Sequence, residues 1–163
     1  MHLTTLLLTS LSAALTAALT ATAAPLSSPL EARACQTVYP GINFFRVIKD
    51  PGQNVDVPQD LSFTVPSGAV GPCSLAYSFP ADFEIYGTKP QLNVVDLNGP
   101  NPGSVIGTTT LEAGKTVTIT SSACRPIMKF RLVIAGDEAG EVTFLPPSRP
   151  GGQNAGLYVT HSC

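Results

Sequence analysis

Two carboxylates two residues apart, Asp82 and Glu84, are the side chains best placed to do chemistry in this sequence. On an extended chain, residues i and i+2 share a face. A facing carboxylate pair is what a glycosidase uses as acid and nucleophile. The pair follows Pro80-Ala81, with nothing around it that points to burial, so a solvated rim is the favoured reading. Asp137, Glu138 and Glu141 gather around Gly136 and Gly140. A turn rich in carboxylates can offer oxygen ligands to Ca²⁺, but this spacing matches no EF-hand loop, and a charged hairpin tip explains it better. Gly114-Lys115-Thr116 is similar to the end of a phosphate-binding loop. That loop needs a glycine where Thr109 stands, and β-type residues follow instead of a helix, so a hairpin turn is expected.

Histidine is scarce. His161 is the sole histidine after the N-terminal leader, two residues before Cys163. One histidine cannot build a multi-histidine metal site within a chain. No G-x-S-x-G elbow accompanies it. A surface or terminal-strand role is expected for His161. The sequence assigns no catalytic residue, no cofactor and no metal ligand, so the chain is not expected to be an enzyme.

Charge narrows the partners. The chain of 163 residues carries 9 Lys+Arg against 11 Asp+Glu, a net charge of −2. That balance argues against nucleic acid and against an anionic membrane surface as partners. Lys129 and Arg131 alternate outward on one strand, which reads as a solvated edge. Trp is absent, which lowers the expectation of sugar stacking. Tyr39, Phe44, Phe45, Phe83 and Tyr86 are candidates for an exposed patch, with core packing the default for most of them.

Residues 1–23 contain no Asp, Glu, Lys or Arg and end in Ala21-Thr22-Ala23, a small-x-small cleavage site. Thr and Ser interrupt the apolar run, so a removed signal peptide fits better than a spanning helix. Residues 24–34 read as a pro-segment or flexible tail, with Arg33 a possible processing point. Residues 35–163 then form one domain. Its 14 Gly and 15 Pro exceed average usage and point to frequent turns. The expected location is extracellular or in a cell wall, without membrane attachment after cleavage.

All four cysteines, Cys35, Cys73, Cys124 and Cys163, lie beyond the leader. Four cysteines in a secreted chain imply two disulfides with three possible connectivities. The absence of a C-x-x-C pair removes the usual zinc and redox readings. Cys35 and Cys163 bracket the domain, so their pairing is favoured, leaving Cys73 with Cys124.

Strands are expected at 42–48, 61–65, 73–79, 92–97, 104–110, 115–121, 127–134, 141–145 and 156–161. Period-two alternation is clearest at 73–79 and 127–134, where Met128, Phe130, Leu132 and Ile134 point inward. Turn residues separate the runs, and short strands at this spacing predict an all-β, antiparallel β-sandwich of jelly-roll or immunoglobulin-like type with little helix.

The segments Cys73–Pro80 (CSLAYSFP), Gly103–Gly107 (GSVIG), Cys124–Pro126 (CRP) and Gly156–Val159 (GLYV), closed by Cys163, resemble the C-terminal domain of the fungal But family. The carrying residues are cysteines, core strands and turns, with no chemical group among them. The family takes its name from binding the activating enzyme of a ubiquitin-like modifier, a cytosolic partner that a secreted protein would not meet. Small secreted fungal proteins that elicit plant defence look similar. The resemblance implies a disulfide-stabilised elicitor or effector that recognises a host or cell-surface protein, and a monomer is expected. A wall-glycan-binding module is the alternative. The loops after Pro80, Asn98 and Pro146 are the expected contact regions.

Overall fold

A computed structural model describes residues 34–146 and 155–163. The chain divides into units 1–31 and 32–163, and the described residues belong to the second. The expectations for the leader and for residues 24–33 lie outside the described residues.

Twelve strands follow one another: β1 (Gln36–Val38), β2 (Phe45–Asp50), β3 (Val55–Val57), β4 (Gln59–Thr64), β5 (Cys73–Ser78) and β6 (Tyr86–Gly87), then β7 (Leu92–Asp96), β8 (Val105–Thr109), β9 (Thr116–Ser122), β10 (Ile127–Ile134), β11 (Gly140–Phe144) and β12 (Gly156–His161). Among the described residues the only helix is one 3₁₀ turn, Pro51–Gln53, capped by the Asp50 carboxylate accepting from the Gly52 and Gln53 amides. The fold is all-β and antiparallel. Its strands form three four-stranded sheets, ordered β1-β12-β5-β9, β4-β10-β7-β8 and β3-β2-β11-β6. Strands β1, β3 and β6 lie outside the expected runs. Each has three residues or fewer, too short for alternation to mark it.

The sheets enclose one core. In β10 the alternation holds, with Met128, Phe130, Leu132 and Ile134 buried. In β5 the inward residues Leu75 and Tyr77 meet Leu157 and Val159 of β12 in the same cluster. Burial of such side chains contributes roughly 1.5–3 kcal/mol each. The outward face of β1-β12-β5-β9 is different in character. Register places Thr37, Thr160, Ser74 and Ser121 in one row across the four strands. Ser74 and Ser121 share a 2.7 Å hydrogen bond, as do Ser78 and Thr116.

Both disulfides take the favoured pairing. Cys35 joins Cys163 with Cα atoms 4.4 Å apart, and Cys73 joins Cys124 at 4.9 Å. Cys73 lies wholly buried, so the second bridge fixes the start of β5 inside the core. Beside Cys35–Cys163, the Ser162 amide donates to the Val70 carbonyl, and the Val70 amide returns a bond to the Ser162 hydroxyl.

A buried carboxylate organises the loop after β7. Asp96 Oδ1 accepts from the amides of Asn98 (3.1 Å) and Gly99 (2.8 Å), and Arg125 Nη2 lies 3.3 Å away. A Cβ at residue 99 would overlap the Asp96 carboxylate, so only glycine fits there. The residue after Cys124 therefore clamps the β7–β8 loop against the β9–β10 connection. Asn98 extends the clamp, donating to the Ile127 carbonyl and accepting from the Lys129 amide.

Replacing Cys35 and Cys163 together by Ser is expected to cost about 4–5 kcal/mol in the chain-entropy account, since the bridge spans 128 residues; denaturant titration of the folded protein measures it. Asp96→Ala should cost about 2–3 kcal/mol in the same assay, because it leaves a half-buried arginine and two amides without their acceptor.

Candidate functional site

The segment after Pro80 forms the floor and one wall of a surface groove. The Phe83 amide donates to the Pro80 carbonyl and closes a turn. The next residues alternate: Asp82, Glu84 and Tyr86 are exposed, Phe83 is half-buried and Ile85 is buried. Phe83 anchors the segment by ring contacts with Phe79 (4.8 Å) and Phe144 (5.9 Å). Phe144 in turn stacks on core residue Phe45 at 4.5 Å. Such aromatic pairs contribute about 0.5–1.5 kcal/mol beyond the area they bury.

Strand β6 carries the outer wall. Tyr86 pairs with Thr143, and Gly87 with Val142. Gly87 has φ +97°, and a Cβ there would collide with the Glu141 carbonyl, so glycine is required for β6 to approach β11. This approach brings Tyr86 beside Leu145, one residue past the end of β11.

The resulting open groove, about 320 Å³, is lined by Asp82, Phe83, Glu84, Tyr86 and Leu145. Tyr86 is 56% exposed and Leu145 66%. Phe44, just before β2, is also exposed but does not line the groove. The Tyr86 hydroxyl donates to Glu84 Oε2. That bond, and the carboxylate charge behind it, hold the phenol above its ordinary value of 10.0, because the phenolate would lose the bond and face a negative neighbour. Asp82 makes no hydrogen bond or ion pair with the described residues. The groove thus presents two carboxylates, a fixed phenol ring and an aliphatic wall, and no cation lines it among the described residues.

No family model, curated protein or solved structure matches this chain. The site must therefore be read from its own geometry.

The two carboxylates singled out in the sequence do share one side, although the strand covers only Tyr86–Gly87. Both are exposed, so water is not excluded from them. Of the three expected contact loops, the one after Pro80 builds the groove; the one after Pro146 lies outside the described residues, which stop at 146 and resume at 155. The third, after Asn98, is pinned by Asp96 and Arg125 instead. The five candidate aromatics separate. Phe83 and Tyr86 line the groove, Phe44 is exposed outside that lining, and Phe45 is core. Tyr39 meets Tyr158 at 5.7 Å on the sheet of β1 and β12.

The remaining candidates fall elsewhere. His161 ends β12 and is buried, 1% exposed, so it is a terminal-strand residue and not a surface one; its Nδ1 lies 3.0 Å from the Ser162 hydroxyl. Asp137 pairs with Lys49, and Glu141 with Arg46. No group of three potential metal ligands occurs among the described residues. Gly114, with φ +74°, forms the turn into β9, and Thr116 begins that strand. Lys129 is exposed, while Arg131 forms a bidentate pair with Asp60, its cross-strand partner on β4. That bond lowers the Asp60 pKa, so its small contribution is present at neutral pH and fades on acidification through the carboxylate range.

Leu145 had no functional signal in the sequence, since it reads as the end of a strand. The alternation Asp-Phe-Glu-Ile-Tyr over 82–86 does carry the signal for the outward Tyr86.

Alkaline titration followed by phenolate absorbance should show one exposed tyrosine ionising above pH 10. Glu84→Gln should return that transition toward the ordinary value while leaving buried Tyr77 and half-buried Tyr158, which desolvation also raises, unchanged.

Proposed function

We propose that this chain is a secreted, non-catalytic recognition protein, acting as an elicitor or effector of plant defence through the Asp82–Tyr86 groove. The observation that carries the reading is the groove itself. Exposed Tyr86 and Leu145 sit on a scaffold whose covalent bridges and aromatic anchor hold them in place. Exposed apolar side chains rimmed by polar ones are how interaction sites are built. Tyrosine supplies contact area at low conformational cost. The two disulfides and the resemblance to fungal But-family C-terminal domains support an extracellular setting. No helix of the described residues is long and apolar enough to cross a membrane. The exposed carboxylates favour binding over hydrolysis, since a glycosidase acid works where water is controlled and its pKa is raised by its surroundings.

One observation favours a second reading, a wall-glycan module. The outward face of β1-β12-β5-β9 carries the hydroxyl row of Thr37, Thr160, Ser74 and Ser121 next to the Tyr39–Tyr158 pair. Hydroxyls and tyrosine rings are suitable partners for a neutral polysaccharide.

The oxidised 34–163 protein, infiltrated into leaves, should raise an oxidative burst that a reduced and alkylated sample does not. A Tyr86→Ala/Leu145→Glu variant should lose at least about nine-tenths of the response, as truncation of hot-spot residues does. Absence of any burst, with sedimentation on chitin or β-glucan, would transfer the function to the second reading.

A further inference from the structure

We propose that the groove receives an arginine side chain presented by a protein partner. The inference rests on the recognition reading above and adds the chemistry of the ligand. Asp82 and Glu84 place two negative charges on one side of the groove, and no cation lines it among the described residues. The complementary occupant is cationic. The groove is also apolar in part, through Leu145, Tyr86 and Phe83. Its volume of about 320 Å³ lies at the low end for ligand sites, suiting a side chain more than a folded surface.

Three cationic groups compete for this description. An arginine has a three-carbon stem that packs on apolar surface and a planar head that stacks on an aromatic ring and pairs with a carboxylate through two N–H groups. The groove offers each counterpart: Leu145 for the stem, Tyr86 for the plane and Asp82 for the fork. Glu84 is partly engaged, because its Oε2 holds the Tyr86 hydroxyl. That bond fixes the ring at its hydroxyl end and leaves the ring face for a cation. A lysine ammonium is a compact, strongly hydrated point charge and uses neither the ring plane nor the fork. An amino-sugar polymer brings hydroxyls on every residue, and this lining provides few groups to receive them.

The probe is a blocked Gly-Arg-Gly repeat peptide, titrated into the oxidised 34–163 protein at low salt and followed by amide chemical shifts and calorimetry. Counterparts carry citrulline or lysine in place of arginine, and a glucosamine tetramer represents the amino sugar. The arginine peptide should bind at least about ten-fold more tightly than the citrulline one, shift the Glu84, Tyr86 and Leu145 amides, and weaken as salt rises. Tyr86→Ala or Asp82→Asn should each weaken it about five-fold, with the remaining amide shifts showing that the fold persists. Equal affinity for arginine and citrulline, tighter binding of the glucosamine tetramer, shifts elsewhere on the surface, or indifference to both substitutions would overturn the assignment. The leaf assay separates the two claims. If the groove variant abolishes the burst while the arginine peptide fails to bind, the ligand class is wrong and the recognition surface stands. If the peptide binds and no burst occurs, the groove keeps its ligand and the elicitor reading fails.

Discussion

The Phe144 ring is the contact on which the surface depends. It touches Phe45 in the core, Phe79 at the end of β5 and Phe83 in the groove segment. Three different parts of the chain therefore converge on one side chain of β11. Phe83 sits in a segment that makes only two residues of strand, at β6. The ring contact joins buried Ile85 and the Phe83–Phe79 contact in holding a segment that has little ladder of its own. Aromatic packing does here what hydrogen bonding does elsewhere in the sheets: it transmits the rigidity of the core to a loop. The electrostatics come second. The Tyr86–Glu84 bond orients a ring that Phe83 and Ile85 have already placed.

Much of this was legible in the sequence, and the limits have physical causes. The inward residues of β5 and β10 follow from strict alternation, because a half-buried strand must separate its faces. The disulfide pairing follows from cysteines that bracket the domain. The carboxylate pair was visible at 82 and 84, as was its shared side. What could not be read were the short strands. β6 exists because Gly87 lets one backbone approach another, and no periodicity records a two-residue ladder. His161 was open between surface and terminal strand, since a lone polar residue two from a cysteine says nothing of burial. Leu145 became a site residue only through tertiary proximity. Asp96 and Arg125 are 29 positions apart, a pairing that spacing alone cannot suggest.

Two surfaces of unlike chemistry result. The groove combines negative charge with exposed apolar groups, while the face of β1-β12-β5-β9 combines hydroxyls with a tyrosine pair. They belong to different sheets, yet both stand on the same core. A chain with so few charges, 12% of its residues, makes each local charge pattern more conspicuous. Most basic side chains of the described strands already have acidic partners, as in Arg46–Glu141, Lys49–Asp137 and Arg131–Asp60. Asp82 stands apart from that pattern, with no such partner among the described residues.

The Cys35–Cys163 bridge makes the polypeptide between those residues a covalent ring. A protease that cuts one exposed peptide bond within this ring opens it without releasing a fragment. The nicked molecule keeps its mass apart from one added water, and its strands stay paired through β1 and β12. Such a protein withstands attack at a loop in a way that a linear chain does not. The pieces would come apart only once the protein is reduced and unfolded.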